Sequence, residues 1–411
     1  MMPPVPVSPL ARPLPSLGVV AGICLGAVAA GIRYKGRTDL VMMTFDEGTT
    51  VAGVFTRTLC PGAPVEWCRD ILPAGRARAL VVNAGNANVF TGRAGRETCD
   101  KTAQEAARLI GCGPDEVYLA STGVIGEVLP SGRITSALPE LYASLSEDGW
   151  ESAARGIMTT DTFPKAAVRR TTIGDVPVII QGIAKGSGMI APDMATMLSY
   201  VATDAALPAP VLQSLLSEGV TGSFNSITVD SDTSTSDMVL LFATGKAGNP
   251  VVKEASDPQL SAFRTALNEV LLELALMVVR DGEGATHQIE VTVEGAVSDA
   301  SARKIARSIA DSPLVKTAIA GGDANWGRVV MAVGKAGEPA DRDRLSVSIG
   351  GVTIARDGAV VEGYDETPVV EHMKGSDISV SVDIGLGEGR ARLWTCDLTH
   401  GYIDINGSYR S

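Results

Sequence analysis

Aromatic residues are scarce in this 411-residue chain: Phe, Tyr and Trp make up 4% of it, so the core has to come from Val, Ile, Leu and Ala. Histidine is scarcer still. His287, His372 and His400 are the three present, and none lies near a G-x-S-x-G turn, so acyl chemistry here points to a base other than a triad histidine. The six cysteines (Cys24, Cys60, Cys68, Cys99, Cys112, Cys396) form no C-x-x-C pair and have no His at metal spacing. They read as free thiols of a reducing cytoplasm, and no metal site is expected. Excess positive charge is also lacking, with 35 Lys and Arg against 47 Asp and Glu for a formal charge of -12 and no basic block. Nucleic acid and anionic membrane surfaces are thereby excluded as partners. The longest apolar run, 17–32, follows Arg12 and carries an A-x-A-like Ala27-Val28-Ala29, in the manner of a signal peptide. It holds four glycines, falls short of the about 20 residues a membrane span needs, and is expected to form a buried strand-turn-strand.

What is present is a globular composition, 45% apolar and 20% charged, long enough for two or three domains. Short apolar runs at 39–45, 51–56, 79–82 and 117–120 predict strands, the last ending at Ser121-Thr122-Gly123, with a helix over 96–110 between them. Helical spacing is expected across 140–158, then a hairpin of 166–173 and 176–180 around Gly174-Asp175. Strands at 197–203, 226–229 and 238–242 surround a helix over 208–218. The longest helix starts at Asp257-Pro258, an N-cap followed by Pro, and runs to about 279. After Asp281-Gly282-Glu283-Gly284 come a strand over 289–293, a helix over 299–311 and strands turning at Gly350-Gly351 and Asp357-Gly358, with clean alternation over 378–384. We therefore expect an α+β protein of layered mixed sheets covered by helices, with a region of residues 1–285 and a smaller α+β module of 286–411.

Two Gly-rich stretches, Gly186-Ser187-Gly188 and Gly385 to Gly389, lack the G-K-[ST] ending or the following helix of a phosphate loop and read as turns. The acidic loop Asp230, Asp232, Asp237 has Thr235 and Leu241 where a calcium loop needs Gly and Glu. Thr196 is a different case. It follows Ala195 and opens an apolar strand; a hydroxyl there becomes a nucleophile if the Ala195-Thr196 bond is cut, because the freed α-amine, with a pKa of roughly 7.7 to 8, can take its proton. An ordinary strand-start threonine fits the same residues.

The stretch 185–198, KGSGMIAPDMATML, resembles the self-cleavage segment of the ornithine acetyltransferases, also described as bifunctional glutamate N-acetyltransferases of arginine biosynthesis. So, in the same order along the chain, do AGVFT (52–56), NAGNAN (83–88), STGVIG (121–126), MTTDT (158–162), DGEGAT (281–286) and AGGDANWGR (320–328). The resemblance implies an αββα sandwich of the DmpA and ornithine acetyltransferase type, cut between Ala195 and Thr196 into an α chain (1–195) and a β chain (196–411). It implies Thr196 as the acyl-accepting nucleophile and Thr122 with Gly123 as the oxyanion hole. Thr159, Lys185, Thr196, Glu283, Asn406 and Ser411 match the positions that hold the amino-acid substrate. Lys185 suits an α-carboxylate, and Glu283 an ammonium.

The implied reaction is ping-pong transfer of acetyl from N-acetylornithine to glutamate, in the cytoplasm, with no metal or organic cofactor and with acetyl-CoA open as a second donor. Two α and two β chains are implied as the assembly. An amidase or aminopeptidase using the same nucleophile is the alternative within enzymes, and an uncleaved amino-acid-binding protein the alternative outside them. The chain departs from the family's usual pattern at Asp193 and Ser231, where Asn and Gly are common, and at Ser411, where many members end in Thr.

Overall fold

Short strands that are apolar on both faces need covering layers above and below, and the described residues meet that need with two stacked sheets and two outer layers of helix. The protein is represented by a computed structural model describing residues 6–33, 36–191 and 197–407, so Asp193, Ala195, Thr196 and Ser411 lie outside the described residues. Two compact units emerge, one of residues 13–225 and 232–278, the other of 6–12, 226–231 and 279–407.

In chain order the larger unit contains β1 (Ile23–Val28), β2 (Leu40–Phe45), β3 (Thr50–Phe55), α1 (Ala63–Ile71), β4 (Ala79–Asn86), α2 (Gly92–Ile110), β5 (Val117–Val124), α3 (Ser131–Ala143) and α4 (Trp150–Gly156). There follow β6 (Lys165–Ile173), β7 (Val176–Lys185), β8 (Leu198–Thr203), α5 (Ala209–Thr221), β9 (Met238–Ala243) and α6 (Ser261–Arg280). One sheet has the order β1-β2-β4-β5 and the other β3-β9-β8-β7-β6. Each is mixed, with β4/β5 and β8/β9 parallel and the remaining neighbours antiparallel. The scarce aromatics join the sheets: Phe45 of β2 stacks on Phe242 of β9 with ring centroids 4.2 Å apart, and Tyr118 of β5 meets Phe242 edge-on. Helices α1 to α4 pack on the first sheet, α5 on β3 and β9, and Leu274 of α6 lies against Gly182 of β7. The expected αββα layering is found.

The smaller unit contains β10 (Gln288–Ala296), α7 (Asp299–Ala310), α8 (Pro313–Ala320), α9 (Trp326–Gly334), β11 (Ser346–Ile349), β12 (Val352–Arg356), β13 (Ala359–Val360), α10 (Thr367–Met373), β14 (Asp377–Asp383), β15 (Gly389–Cys396) and α11 (His400–Asn406). Its sheet has the order β13-β12-β11-β14-β10-β15. The alternation along β14 is realised, with Ile378, Val380 and Val382 buried and Asp377, Ser381 and Asp383 exposed. Ser298 and Ser312 cap α7 and α8 by accepting the Ser301 and Val315 amide protons, each worth about 1 kcal/mol.

Several expectations are corrected. Only Ile23–Val28 of the 17–32 run is strand. The helix expected over 140–158 is two, because the backbone of Ser146 pairs with Leu25 of β1 in both directions (2.9 and 3.2 Å) and so cannot stay helical. Residues 226–229 form no strand: a 3-10 turn ends at Ser226, and Ile227 makes one isolated bridge to Trp394. Strands β4 and β5 run beyond the predicted ends to Asn86 and Val124. Among the described residues no helix is long and apolar enough to cross a membrane.

All six cysteines are free thiols. Burial pushes Cys68 and Cys99 up to about 12 and Cys396 up to about 11, whereas Cys60 is exposed. Titration of the native protein with a disulfide reagent at neutral pH is expected to show one prompt thiol, abolished by Cys60→Ser. The sheet arrangement carries a second expectation: β8 lies between β7 and β9, and β9 pairs with β3, so a chain severed between 195 and 196 would keep strands of both pieces in one sheet. The pieces should elute as one particle under native conditions and separate only in denaturant.

Candidate active site

The NAGNAN stretch shows why β4 and β5 outrun their apolar residues. Asn83 donates through Nδ2 to the Asn86 carbonyl (2.8 Å) and accepts from Ser121 Oγ (2.6 Å); Asn86 Oδ1 accepts from the Asn88 amide (2.8 Å), and its Nδ2 donates to the Glu127 carbonyl (3.0 Å). Side-chain amides thus replace the ladder where its register shifts, at Gly85 and Asn86. Asn88 sits at φ 51, a left-handed conformation that Asn tolerates.

Thr122 and Gly123 lie opposite this bulge. Gly123 has φ +131, and a Cβ there would come within 2.3 Å of the Gly85 carbonyl carbon, so only glycine permits the two backbones to approach this closely. Thr122 is buried, and Gly123 is the one residue of β5 that is partly exposed. A hydroxyl-bearing residue and a glycine thus adjoin near the end of β5; a hydroxyl together with a backbone amide is the kind of donor pair that can stabilise an oxyanion.

Thr159 and Lys185 are tied together through a residue that sequence reasoning did not single out. Asp161, its side chain fully buried, accepts at Oδ1 from Lys165 Nζ (2.7 Å) and the Gly186 amide (2.6 Å), and at Oδ2 from the Thr159 amide (3.0 Å). Lys185 Nζ stands 3.8 Å from Oδ2. Burial by itself would raise the Asp161 pKa; the Lys165 and Lys185 charges and the hydrogen bonds overcome that and hold the carboxyl well below the usual range. From the other side Arg37 donates to the Met158 and Thr159 carbonyls (2.7 and 3.0 Å). The available signals for this cluster were the acid inside MTTDT and the lysine four residues after it.

The segment between Lys185 and Leu198 connects adjacent antiparallel strands, and those two residues are themselves register partners. Ser187 is buried and bonded to Thr160 Oγ1 (2.7 Å), and on the far side the Met197 carbonyl accepts from the Met238 amide (3.1 Å). The chain is held on both sides of residue 196.

In the smaller unit Glu283 and Asn406 are brought together: Asn406 Nδ2 donates to Glu283 Oε2 at 2.6 Å. The DGEGAT loop is fastened by Asp397, whose carboxylate accepts from the amides of Thr286 (2.8 Å) and His287 (3.0 Å), from Thr286 Oγ1 (2.5 Å), and is bonded to His287 Nδ1 (2.8 Å). Thr399 Oγ1 donates to the Gly284 carbonyl (2.6 Å), and a Cβ on Gly284, at φ +75, would lie 2.7 Å from the Gly401 and Tyr402 backbone. Glycine is what lets helix α11 dock on this loop and carry Asn406 to Glu283. Asp397 and Thr399 follow an apolar strand and gave no sequence signal beyond that. The acidic loop is divided between the two units, and Asp230 accepts from Tyr402 Oη (3.3 Å). Among the described residues no group of three or more His, Cys, Asp or Glu side chains is placed to hold a metal ion.

Comparison with known proteins gives a consistent result. The chain is 68% identical to the arginine biosynthesis bifunctional protein ArgJ of Gluconobacter oxydans over 411 residues, all of this chain and 97% of that protein. It is 58% identical to the Brucella suis protein of the same name, over 98% of this chain and 99% of that one. Among solved structures, the Bacillus halodurans arginine biosynthesis bifunctional protein argJ matches with a TM-score of 0.50 at 40% identity, covering 52% of this chain and 100% of that chain. With the ArgJ family model matching residues 24–411 as well, the chain belongs to the ArgJ family.

Proposed function

We propose that the protein is an acetyltransferase of arginine biosynthesis that moves the acetyl group of N2-acetyl-L-ornithine to L-glutamate through an ester on Thr196. The observation that carries this reading is the 68% identity, over the entire chain, with a protein named for arginine biosynthesis. Cleavage between Ala195 and Thr196 supplies the amine that deprotonates the Thr196 hydroxyl, which attacks the acetyl carbonyl. Thr122 Oγ and the Gly123 amide stabilise the oxyanion, ornithine leaves, and the glutamate amine attacks the ester. A solved relative matched along its full length by 52% of this chain supports the cut, since residues 196–411 make up about that share.

Lys185 receives the substrate α-carboxylate, Glu283 takes an ammonium, and Thr159, Asn406 and Ser411 add polar contacts. No cofactor takes part, because each step is a nucleophilic displacement at a carbonyl. Acetyl-CoA is a second acetyl donor, in keeping with the word bifunctional in the relatives' names. The working form consists of two α and two β chains in the cytoplasm.

Thr196→Ala should yield a single chain with no transferase activity, read by denaturing intact mass and by acetylglutamate formation; two chains from that variant would remove Thr196 as the processing nucleophile. Thr122→Ala should lower kcat about 100-fold or more with a much smaller change in KM for N-acetylornithine, the pattern of a group acting on the transition state. An unchanged kcat would take Thr122 out of the oxyanion hole. Acetate release from N-acetylornithine at the same rate with and without glutamate would replace transfer by amide hydrolysis.

A further inference from the structure

A threonine that uses its own amine as base has no such amine beforehand, because until the chain is cut that nitrogen belongs to an amide and is not basic. The bond-breaking step therefore calls on other polar groups. The hydroxyl-rich loop after Asp232 carries two that the rest of the described structure leaves idle. Thr235 Oγ1 and Ser236 Oγ are shielded from solvent and have no hydrogen-bond partner among the described residues. A buried hydroxyl left unpaired costs stability, and two in succession are the kind of local cost that gathers at functional sites.

The backbone that carries them is well fixed. The Ser234 carbonyl accepts from Thr56 Oγ1 (2.8 Å), the Thr235 carbonyl from the Gly62 amide (2.8 Å) and the Asp237 carbonyl from the Thr56 amide (3.0 Å), while Ser234 Oγ accepts from the Ser236 amide (3.1 Å). The same loop is fastened to both ends of the connection that contains residues 195 and 196. Thr233 Oγ1 donates to the Ala191 carbonyl (2.9 Å), and the Met238 amide donates to the Met197 carbonyl (3.1 Å). The β8/β9 pairing is parallel and begins with Leu198 opposite Met238. Counted back along that register, Ser236 corresponds to position 196 and Thr235 to position 195, the two sides of the bond to be cut.

We propose that the Thr235 and Ser236 hydroxyls assist the self-cleavage, donating hydrogen bonds to the Ala195 carbonyl oxygen as it takes on negative charge. A hydroxyl with no standing partner is free to turn its proton toward that oxygen. In this step Thr196 Oγ bonds to the Ala195 carbonyl carbon, and the hydroxyl proton passes to the residue 196 nitrogen as the C–N bond breaks. One water then adds to the resulting ester, leaving an Ala195 carboxylate, the restored Thr196 hydroxyl and its free amine. The inference rests on the reading that Thr196 cuts the chain between 195 and 196.

The test follows the full chain made by cell-free translation, quenched in denaturant at intervals and weighed by intact mass. Thr235→Val/Ser236→Ala should be processed at least about tenfold more slowly than the parent, and Thr235→Ser, which keeps the hydroxyl, within about threefold of the parent rate. Stability is read in a Thr196→Ala background, where the reading leaves every chain intact. Because the hydroxyls lack partners, adding Thr235→Val and Ser236→Ala there should leave the melting temperature within about 3 °C of Thr196→Ala alone, or raise it. A structural role for the hydroxyls predicts the reverse, a lowered melting temperature and an unchanged rate.

A slowing smaller than about tenfold, or a melting temperature lower by more than about 3 °C, overturns the proposal. So does a double variant that fails to fold, since the hydroxyls would then be holding the structure. The two layers separate. An uncleaved Thr196→Ala beside a double variant cut at the parent rate ends this proposal alone, whereas a cleaved Thr196→Ala ends the reading beneath it and the proposal with it.

Discussion

A carboxylate taken wholly out of water must be compensated, at a penalty of roughly several kcal/mol if it is not, and Asp161 meets that demand with one ammonium and two backbone amides. Because its partners come from three places, compensation doubles as geometry. The Thr159 turn, the start of β6 at Lys165 and the end of β7 at Gly186 cannot move independently without leaving buried charge or an unpaired amide. Since Lys185 is in turn the register partner of Leu198, the same constraint reaches the first residue of β8. Polar satisfaction, rather than apolar packing, positions the chain at Lys185 and Gly186, before the connection to β8.

The opposite solution operates at the ends of β4 and β5. There the polar groups are neutral: asparagine side chains, a serine hydroxyl and the backbone satisfy one another around a bulge. Neutral amides need no counter-ion, so this network satisfies its buried polar groups beside Thr122 and Gly123 without adding a charge there. Formal charge is confined instead to the Asp161, Lys165 and Lys185 cluster.

Those two solutions explain what the sequence revealed. The hairpin of β6 and β7, the Asp257 cap and the alternation of β14 follow from local rules, and the residues obey them. The break between α3 and α4 follows from a backbone pairing with Leu25, more than a hundred residues earlier in the chain, which no local pattern records. Thr122 and Gly123 were expected where a strand meets a turn but lie within β5, which continues to Val124, because the ladder with β4 is carried past its apolar residues; the family resemblance alone gave them a role. Asp161, Lys165 and Asp397 were not, because a buried, fully paired charge and a solvated one are the same letter in a sequence; only the depth and the partners tell them apart. Membership of residues 226–231 in the later unit was likewise invisible, as it rests on contacts such as Thr228 Oγ1 to Asp311 (2.6 Å) and Lys316 Nζ to the Val229 carbonyl (2.5 Å).

A nucleophile made by cutting the chain also requires that the new terminus stay where the bond was. A free end normally frays, because its first residues lose a covalent neighbour and gain conformational entropy. Here the strand that would begin with that end is bordered on both sides: Leu198 pairs with Lys185 of β7 and with Met238 of β9, and the Met197 carbonyl is bonded to the Met238 amide. The ladder on one side is antiparallel and on the other parallel, so slippage would have to break both registers together and expose the buried faces of Leu198 and Tyr200. The two residues after position 196 are therefore fixed by bonds that do not depend on the peptide link before it, which is the condition under which a terminal amine can serve as the base for its own hydroxyl.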